Sequence, residues 1–179
     1  GIPEGAKLMT STFARPQVNS VLSKGKVSGQ YVMGVVAKRE AIQAGFDEAL
    51  MLDVDGFMTE GTGENLFIIS GGKVKTTPLT SILNGITRNT VMQMIEKRGL
   101  KLEEQRFTRD ELWVADEVFL TGTAAEITPV SEVDRRKIGR GPKAGKPGEV
   151  SLMLQRDYNK LVRGELQNEF PKHWLTLIK

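Results

Sequence analysis

A chain of 179 residues fits one domain of ordinary size, and its 39% hydrophobic and 26% charged residues are the balance of a globular protein, not a disordered tail. The 25 Lys and Arg exceed the 22 Asp and Glu by only +3, too small a surplus to mark a nucleic-acid or membrane protein. Cysteine is absent and His173 is the only histidine, which excludes disulfides, thiolate chemistry and any zinc or Ser–His site built on several histidines.

The opening, Gly1–Ser23, is poorly periodic, carries Pro3, Gly5 and Pro16, and holds a strand candidate at Lys7–Phe13. From Ser28 to Gly45 the spacing is helical, with Tyr31, Val32, Val35, Val36 and Ile42 on one broad apolar face. Short strands follow: Glu48–Asp53 and Phe57–Glu60 about the turn Asp55-Gly56, then Asn65–Ile69 and Lys73–Thr77 about Gly71-Gly72. Gly85–Arg98 reads as a helix with Val91, Met92 and Ile95 on its buried side, stopped by Gly99. Leu100–Phe107 is a strand, and Thr108–Glu111 matches a capping box opening a short helix. Val118–Thr121 and Ile127–Val133 are strands about a Gly-Thr-Ala-Ala turn. Arg135–Gly148 is a loop rich in Gly, Pro and Lys, and a last amphipathic helix runs from Glu149 to Arg163. Mixed hairpins and helices point to an α+β arrangement. No apolar run approaches the ~18 residues that cross a bilayer, so no membrane partner is expected, and the cysteine-free composition suits the cytoplasm.

Four segments join glycine to reactive or polar residues at predicted element boundaries. They are Lys26–Tyr31, Glu60–Phe67, Asn84–Arg88 and Thr121–Glu126. Singly, each has a plainer reading: a solvated lysine, a core tyrosine, a carboxylate bounding a turn, a helix cap, a tight connection. Together they say more. A glycine before a helix N-terminus bares N–H groups and the positive end of the dipole, which suits a phosphate. A Gly-Thr turn adds a hydroxyl and further donors. A buried lysine of lowered pKa condenses with an aldehyde, a carboxylate keeps a pyridine nitrogen protonated, and a tyrosine bonds a phenolic oxygen. These are the requirements of pyridoxal 5′-phosphate.

In this order the strings resemble the fold-type IV aminotransferases, and within them the branched-chain amino acid aminotransferases. The likeness runs from about Ser23 to the C-terminus and includes Glu64-Asn65-Leu66-Phe67, Gly122–Pro129, Ala115–Phe119 and Val162–Glu165. It implies a mixed-sheet pseudo-barrel flanked by helices, the large C-terminal domain of these enzymes. Residues 25–179 would be that cofactor-binding domain and residues 1–24 an interdomain segment leading into it. The family's N-terminal small domain would be absent from this chain. The implied activity is amino transfer between Leu, Ile or Val and 2-oxoglutarate by way of a lysine aldimine, in a homodimer. D-amino acid aminotransferase, aminodeoxychorismate lyase and a truncated, non-catalytic cofactor-binding relative are the alternatives.

The likeness also implies roles. Lys26 would carry the aldimine and move the proton, Tyr31 would meet the cofactor's phenolic oxygen, and Glu60 its ring nitrogen. Leu83 would pack on the ring face. Ile86 and Thr87, through their N–H groups, and Thr123 would hold the phosphate, while the N–H groups of Thr123 and Ala124 would receive the substrate carboxylate. Glu64 and Asn65 are expected to scaffold the Glu60 turn. No metal site is expected. The family's small domain supplies an arginine to the phosphate; in Gly1–Ser23 the only arginine is Arg15, which lies in the approach to Lys26. The basic loop, with Arg135, Arg136, Lys137, Arg140, Lys143 and Lys146, lacks interleaved aromatics for base stacking. It reads as a solvated surface rather than a nucleic-acid site.

Overall fold

Among the described residues nine short strands, separated by the turn residues read above, make one mixed sheet: β1 (Ala6–Thr10), β2 (Glu48–Leu52), β3 (Met58–Gly61), β4 (Asn65–Ser70), β5 (Lys73–Thr76), β6 (Lys101–Glu104), β7 (Glu117–Gly122), β8 (Glu126–Val133) and β9 (Arg136–Lys137). Helices α1 (Tyr31–Gln43), α2 (Ile86–Lys97), α3 (Arg109–Trp113) and α4 (Glu149–Val162) flank it. The structure, a computed structural model, describes residues 4–166, 169–171 and 174–176, so His173 lies outside the described residues.

Strands β3, β2, β1, β8, β7 and β4 follow one another around a ring that closes where β3 meets β4, at the pair Glu60–Asn65. β1 runs parallel to both β2 and β8, and the remaining ring pairs are antiparallel. The fold is thus the expected α+β pseudo-barrel. Past the closing pair, Phe67–Ser70 of β4 faces β5 instead, and β6 extends β5 in parallel. Gly71 and Gly72, at φ +57° and +76°, make the tight β4–β5 turn that other residues resist.

Strand alternation sorts the core into an inside and an outside. Leu50, Leu66, Ile68, Val118, Leu120 and Val130 fill the barrel with Leu8 and Met58, and Phe107 and Leu112 join that cluster. Their neighbours Phe67, Ile69, Phe119 and Ile127 point outward and pack under α2 and α4 against Val91, Met94, Ile95 and Leu154. Phe67 and Phe119, paired in register on β4 and β7, stack with ring centroids 4.8 Å apart.

Several expectations are corrected. The apolar face read on α1 is not the buried one: Val32, Val35 and Ile42 are exposed, while Gly34, Ala37 and Ala41 are buried. Small residues at i, i+3 and i+7 let α1 lie close over β2, where Ala37 and Ala41 meet Ala49 and Met51. At Gly34 a Cβ would stand 3.1 Å from the Thr62 carbonyl oxygen. The Thr108 hydroxyl bonds the Asp110 carboxylate, and no side-chain cap forms on α3. The opening segment is more than a connection, because β1 is a ring strand. The basic loop contains β9, with Arg136 stacked on Trp113, Arg135 on Phe46, and Lys143 paired to Glu149. Among the described residues no helix is long and apolar enough to cross a membrane.

The Phe67–Phe119 stack joins the barrel to the helix that borders the site. Phe119→Ala should cost about 3–5 kcal/mol of folding stability, read by chemical denaturation. A loss below about 1 kcal/mol would mean that the outer layer repacks freely around the gap.

Candidate active site

The ring's closing pair sets the site's centre. Glu60 ends up buried, 6% exposed, at the seam between β3 and β4. One carboxylate oxygen, Oε1, meets Arg15 Nη1 at 2.7 Å; the other, Oε2, accepts from Asn65 Nδ2 at 2.9 Å. The Leu83 N–H donates to the same carboxylate at 3.3 Å. Burial pushes the Glu60 carboxyl up to about 7, against the opposing pull of Arg15 and the Leu83 N–H.

Arg15 reaches this acid because the chain leaving β1 is tied down. Ser11 and Thr12 donate to Glu40 of α1, at 2.6 and 2.5 Å for the two hydroxyls, and the Arg15 N–H donates to Leu52 O at 2.8 Å. Asn65 carries the seam on toward α2. Its Nδ2 also donates to Leu83 O at 2.9 Å, so the segment entering α2 is held at both its N–H and its carbonyl. At Gly85 an added Cβ would stand 2.2 Å from Asn65 Oδ1, and only glycine fits there. Gly85 is the N-cap of α2 and supplies no side-chain cap, so the helix's first N–H groups lack intrahelical partners. The dipole adds positive potential at the same end.

These elements enclose a cavity of about 350 Å³. Lys26, Tyr31, Glu60, Leu83, Ile86, Thr87 and Thr123 all line it, so seven of the residues singled out in the sequence come together. Lys26 is exposed rather than buried as expected, and its Nζ donates to Tyr31 Oη at 2.9 Å just before α1. Ala124 does not line this cavity; it borders a neighbouring one with Glu126, Gln155 and Asn159. Glu64 and Asn65, read as scaffold, are cavity residues as well. Burial and the nearby Glu48 push the Glu64 carboxyl up, while Glu48 is held by Lys38 Nζ at 2.5 Å and Thr62 Oγ1 at 2.7 Å.

Arg15, to which sequence reading gave no role, Thr121, named only as the start of a turn segment, and Lys24, which was missed, also line the cavity. Lys24 Nζ donates to the carbonyls of Leu79 and Ile82, bracing the segment that leads to Leu83. Thr121 left a usable signal, since it stands at the end of β7, two residues before the Thr123 turn. The cavity therefore sets three cations, Arg15, Lys24 and Lys26, beside two carboxyls, Glu60 and Glu64. It offers an amine with a hydroxyl partner, a buried acid, and an anion-receptive helix end within one enclosure. Among the described residues no group of three or more His, Cys, Asp or Glu is arranged to hold a metal ion.

Comparison with known proteins finds the same arrangement of sequence and fold. The model of the family described as amino-transferase class IV matches residues 2–133. A branched-chain-amino-acid aminotransferase of Pseudomonas aeruginosa is 48% identical over 178 residues, covering 99% of this chain and 56% of the relative. A probable branched-chain-amino-acid aminotransferase of Aquifex aeolicus is 46% identical over 97% of the chain and 54% of its own length. Among solved structures, a T.th. branched-chain amino acid aminotransferase with pyridoxamine 5′-phosphate superposes with a TM-score of 0.94 at 43% identity. That match covers 100% of this chain and 58% of the other. The chain spans about half the length of the curated relatives it matches.

The Glu60 proton gives the site a pH signature of its own. The folded-state value of about 7 lies above the ordinary 4.5, so between them the folded protein binds this proton more tightly than the unfolded chain does. Stability from this group is therefore present at low pH and lost as pH rises through that window. Glu60→Gln, which keeps the shape without the charge, should gain on the parent by on the order of 2–3 kcal/mol between pH 4.5 and 8. Denaturant titrations across that range measure the gain. A pH-independent difference would show that Glu60 is already ionised at the bottom of the window.

Proposed function

The chain belongs to the class IV aminotransferases, and from that membership we propose that it is the part of a branched-chain amino acid aminotransferase that holds pyridoxal 5′-phosphate and moves the substrate proton. The observation that carries this reading is one cavity bordered by Lys26, Glu60 and the uncapped N-terminus of α2. Solved relatives bind pyridoxamine 5′-phosphate and N-(5′-phosphopyridoxyl)-L-glutamate. The residues present fit such a group. Gly85 leaves room where a Cβ would strike Asn65, the helix end has donors to spare for a phosphate, and a buried acid stands ready for a ring nitrogen.

When bound, the cofactor supplies an aldehyde for the substrate amine and a ring that accepts the electron pair released at the substrate's Cα. The chain's own residues do the rest. Lys26 Nζ takes the proton from Cα and returns it on the reverse path, and Tyr31 Oη, 2.9 Å away, keeps the amine in place between transfers. Glu60 faces the ring nitrogen as an anion, and Arg15 at 2.7 Å offsets the cost of that charge in a buried setting. Asn65 orients the carboxylate by bridging it to Leu83, which packs on the ring. The N–H groups of Ile86 and Thr87, with Thr123, grip the phosphate. Thr123, which lines the cavity, and Ala124, which does not, would offer their N–H groups to the substrate carboxylate.

We include in the proposal the branched-chain substrates Leu, Ile and Val, 2-oxoglutarate as amino acceptor, assembly as a homodimer and a cytoplasmic location. Likeness to named relatives supports the branched-chain substrates, the acceptor and the homodimer rest on the family resemblance read in the sequence, and the location rests on the cysteine-free composition.

Two measurements test the core of this reading. Borohydride treatment in the presence of pyridoxal 5′-phosphate should leave one mass-shifted peptide, containing Lys26. Lys26→Ala should lose that product and lower amino transfer from leucine to 2-oxoglutarate by about 100- to 10,000-fold. Labelling or turnover that survives in Lys26→Ala would remove the lysine from its role, and preference for D-alanine would move the substrate class.

A further inference from the structure

Thr121 is fully buried, lines the cavity with Asn65 and Thr87, and its Oγ1 has no hydrogen-bond partner. Such an atom is unusual, because buried hydroxyls are normally paired. Its direction follows from β7. Val118 and Leu120 face the barrel interior and Phe119 faces outward, so Thr121 shares the outer side. There it is in register with Asn65, whose own amide nitrogen is committed to Glu60 and Leu83. The other unpartnered buried atoms among the described residues, Arg88 Nε and Glu132 Oε1, belong to residues that do not border this cavity.

A second feature stands beside it. The first turn of α2 has no side-chain cap, and Gly85, Ile86 and Thr87 line the same cavity. Open N–H groups and an unpaired hydroxyl on facing elements call for one acceptor-rich group between them, and a phosphate has oxygens enough for both. We infer that Thr121 Oγ1 donates a hydrogen bond to a phosphate oxygen of the ligand seated against the first turn of α2. This adds Thr121 to the contacts named above, and it rests on the reading that the cavity takes a phosphorylated cofactor.

The test compares the protein with Thr121→Val and Thr121→Ser for binding of pyridoxamine 5′-phosphate and of pyridoxamine, which lacks the phosphate. Thr121→Val should weaken the phosphorylated ligand about tenfold and leave pyridoxamine unchanged, and Thr121→Ser should restore most of the loss. Thermal melting of the ligand-free proteins gives an independent readout. Thr121→Val should melt no lower than the parent, since a methyl replaces an unpaired hydroxyl. Equal affinities for the parent and Thr121→Val, or equal weakening of both ligands, would overturn the inference. So would a lowered melting point, which would mean that the hydroxyl is already paired in the empty protein. Failure of the parent itself to bind pyridoxamine 5′-phosphate would overturn the functional reading, and this contact with it.

Discussion

A barrel that closes through a carboxylate has to keep that carboxylate satisfied. Among the described residues the pair Glu60–Asn65 is the one register contact between β3 and β4, and Phe67–Ser70 of β4 pair with β5. The gap left where β3 departs is filled by the segment Leu83–Gly85 and the start of α2. Asn65 binds this segment to the seam by donating to both Glu60 and Leu83 O. One set of hydrogen bonds therefore closes the barrel, buries the acid and aims a helix N-terminus at the same cavity. Disturbing any of the three disturbs the others.

The elements around the cavity are held more by backbone than by long side chains. Leu83 is fixed by its N–H and carbonyl, Lys24 reaches carbonyls, and Arg15 is located by its own N–H on Leu52. Such anchoring limits motion without filling the space a ligand needs. α1 works similarly from the other side. Its Gly34, Ala37 and Ala41 face permits a close approach to β2. The lysine–tyrosine pair at its N-terminus is thereby brought to the edge of the cavity. A bulkier helix face would push that pair outward.

Much of this was legible in the sequence, and the failures have a common cause. Hairpins, strand lengths and helix ends follow from local punctuation such as Gly71-Gly72 and Gly85. The strings around Glu60 and Thr123 carry enough pattern to group residues far apart in the chain. What escaped depends on long-range packing. Arg15 and Glu60 meet across loops whose course no periodicity encodes. On α1, apolar spacing nominated the valines, although close approach to β2 selects small residues instead. Thr108 resembles a cap by spacing, yet its hydroxyl prefers the Asp110 carboxylate next to it.

Charge balance explains why the site can tolerate its own burial. Glu60 is pulled two ways: desolvation favours the neutral acid, while Arg15, the Leu83 N–H and the more distant Lys24 favour the anion. Glu64, itself pushed up by burial and by Glu48, adds to the upward pull on Glu60. A carboxyl with a value of about 7 is poised so that a cationic partner of ordinary strength ionises it fully. On the proposed reading, a protonated ring nitrogen would be such a partner. An acid held far lower by a second arginine would gain less from the ring, and one held far higher would keep its own proton and leave the ring nitrogen without an anion. Arg15 at the seam therefore makes the Glu60 anion accessible within a buried setting, which suits the proposed chemistry.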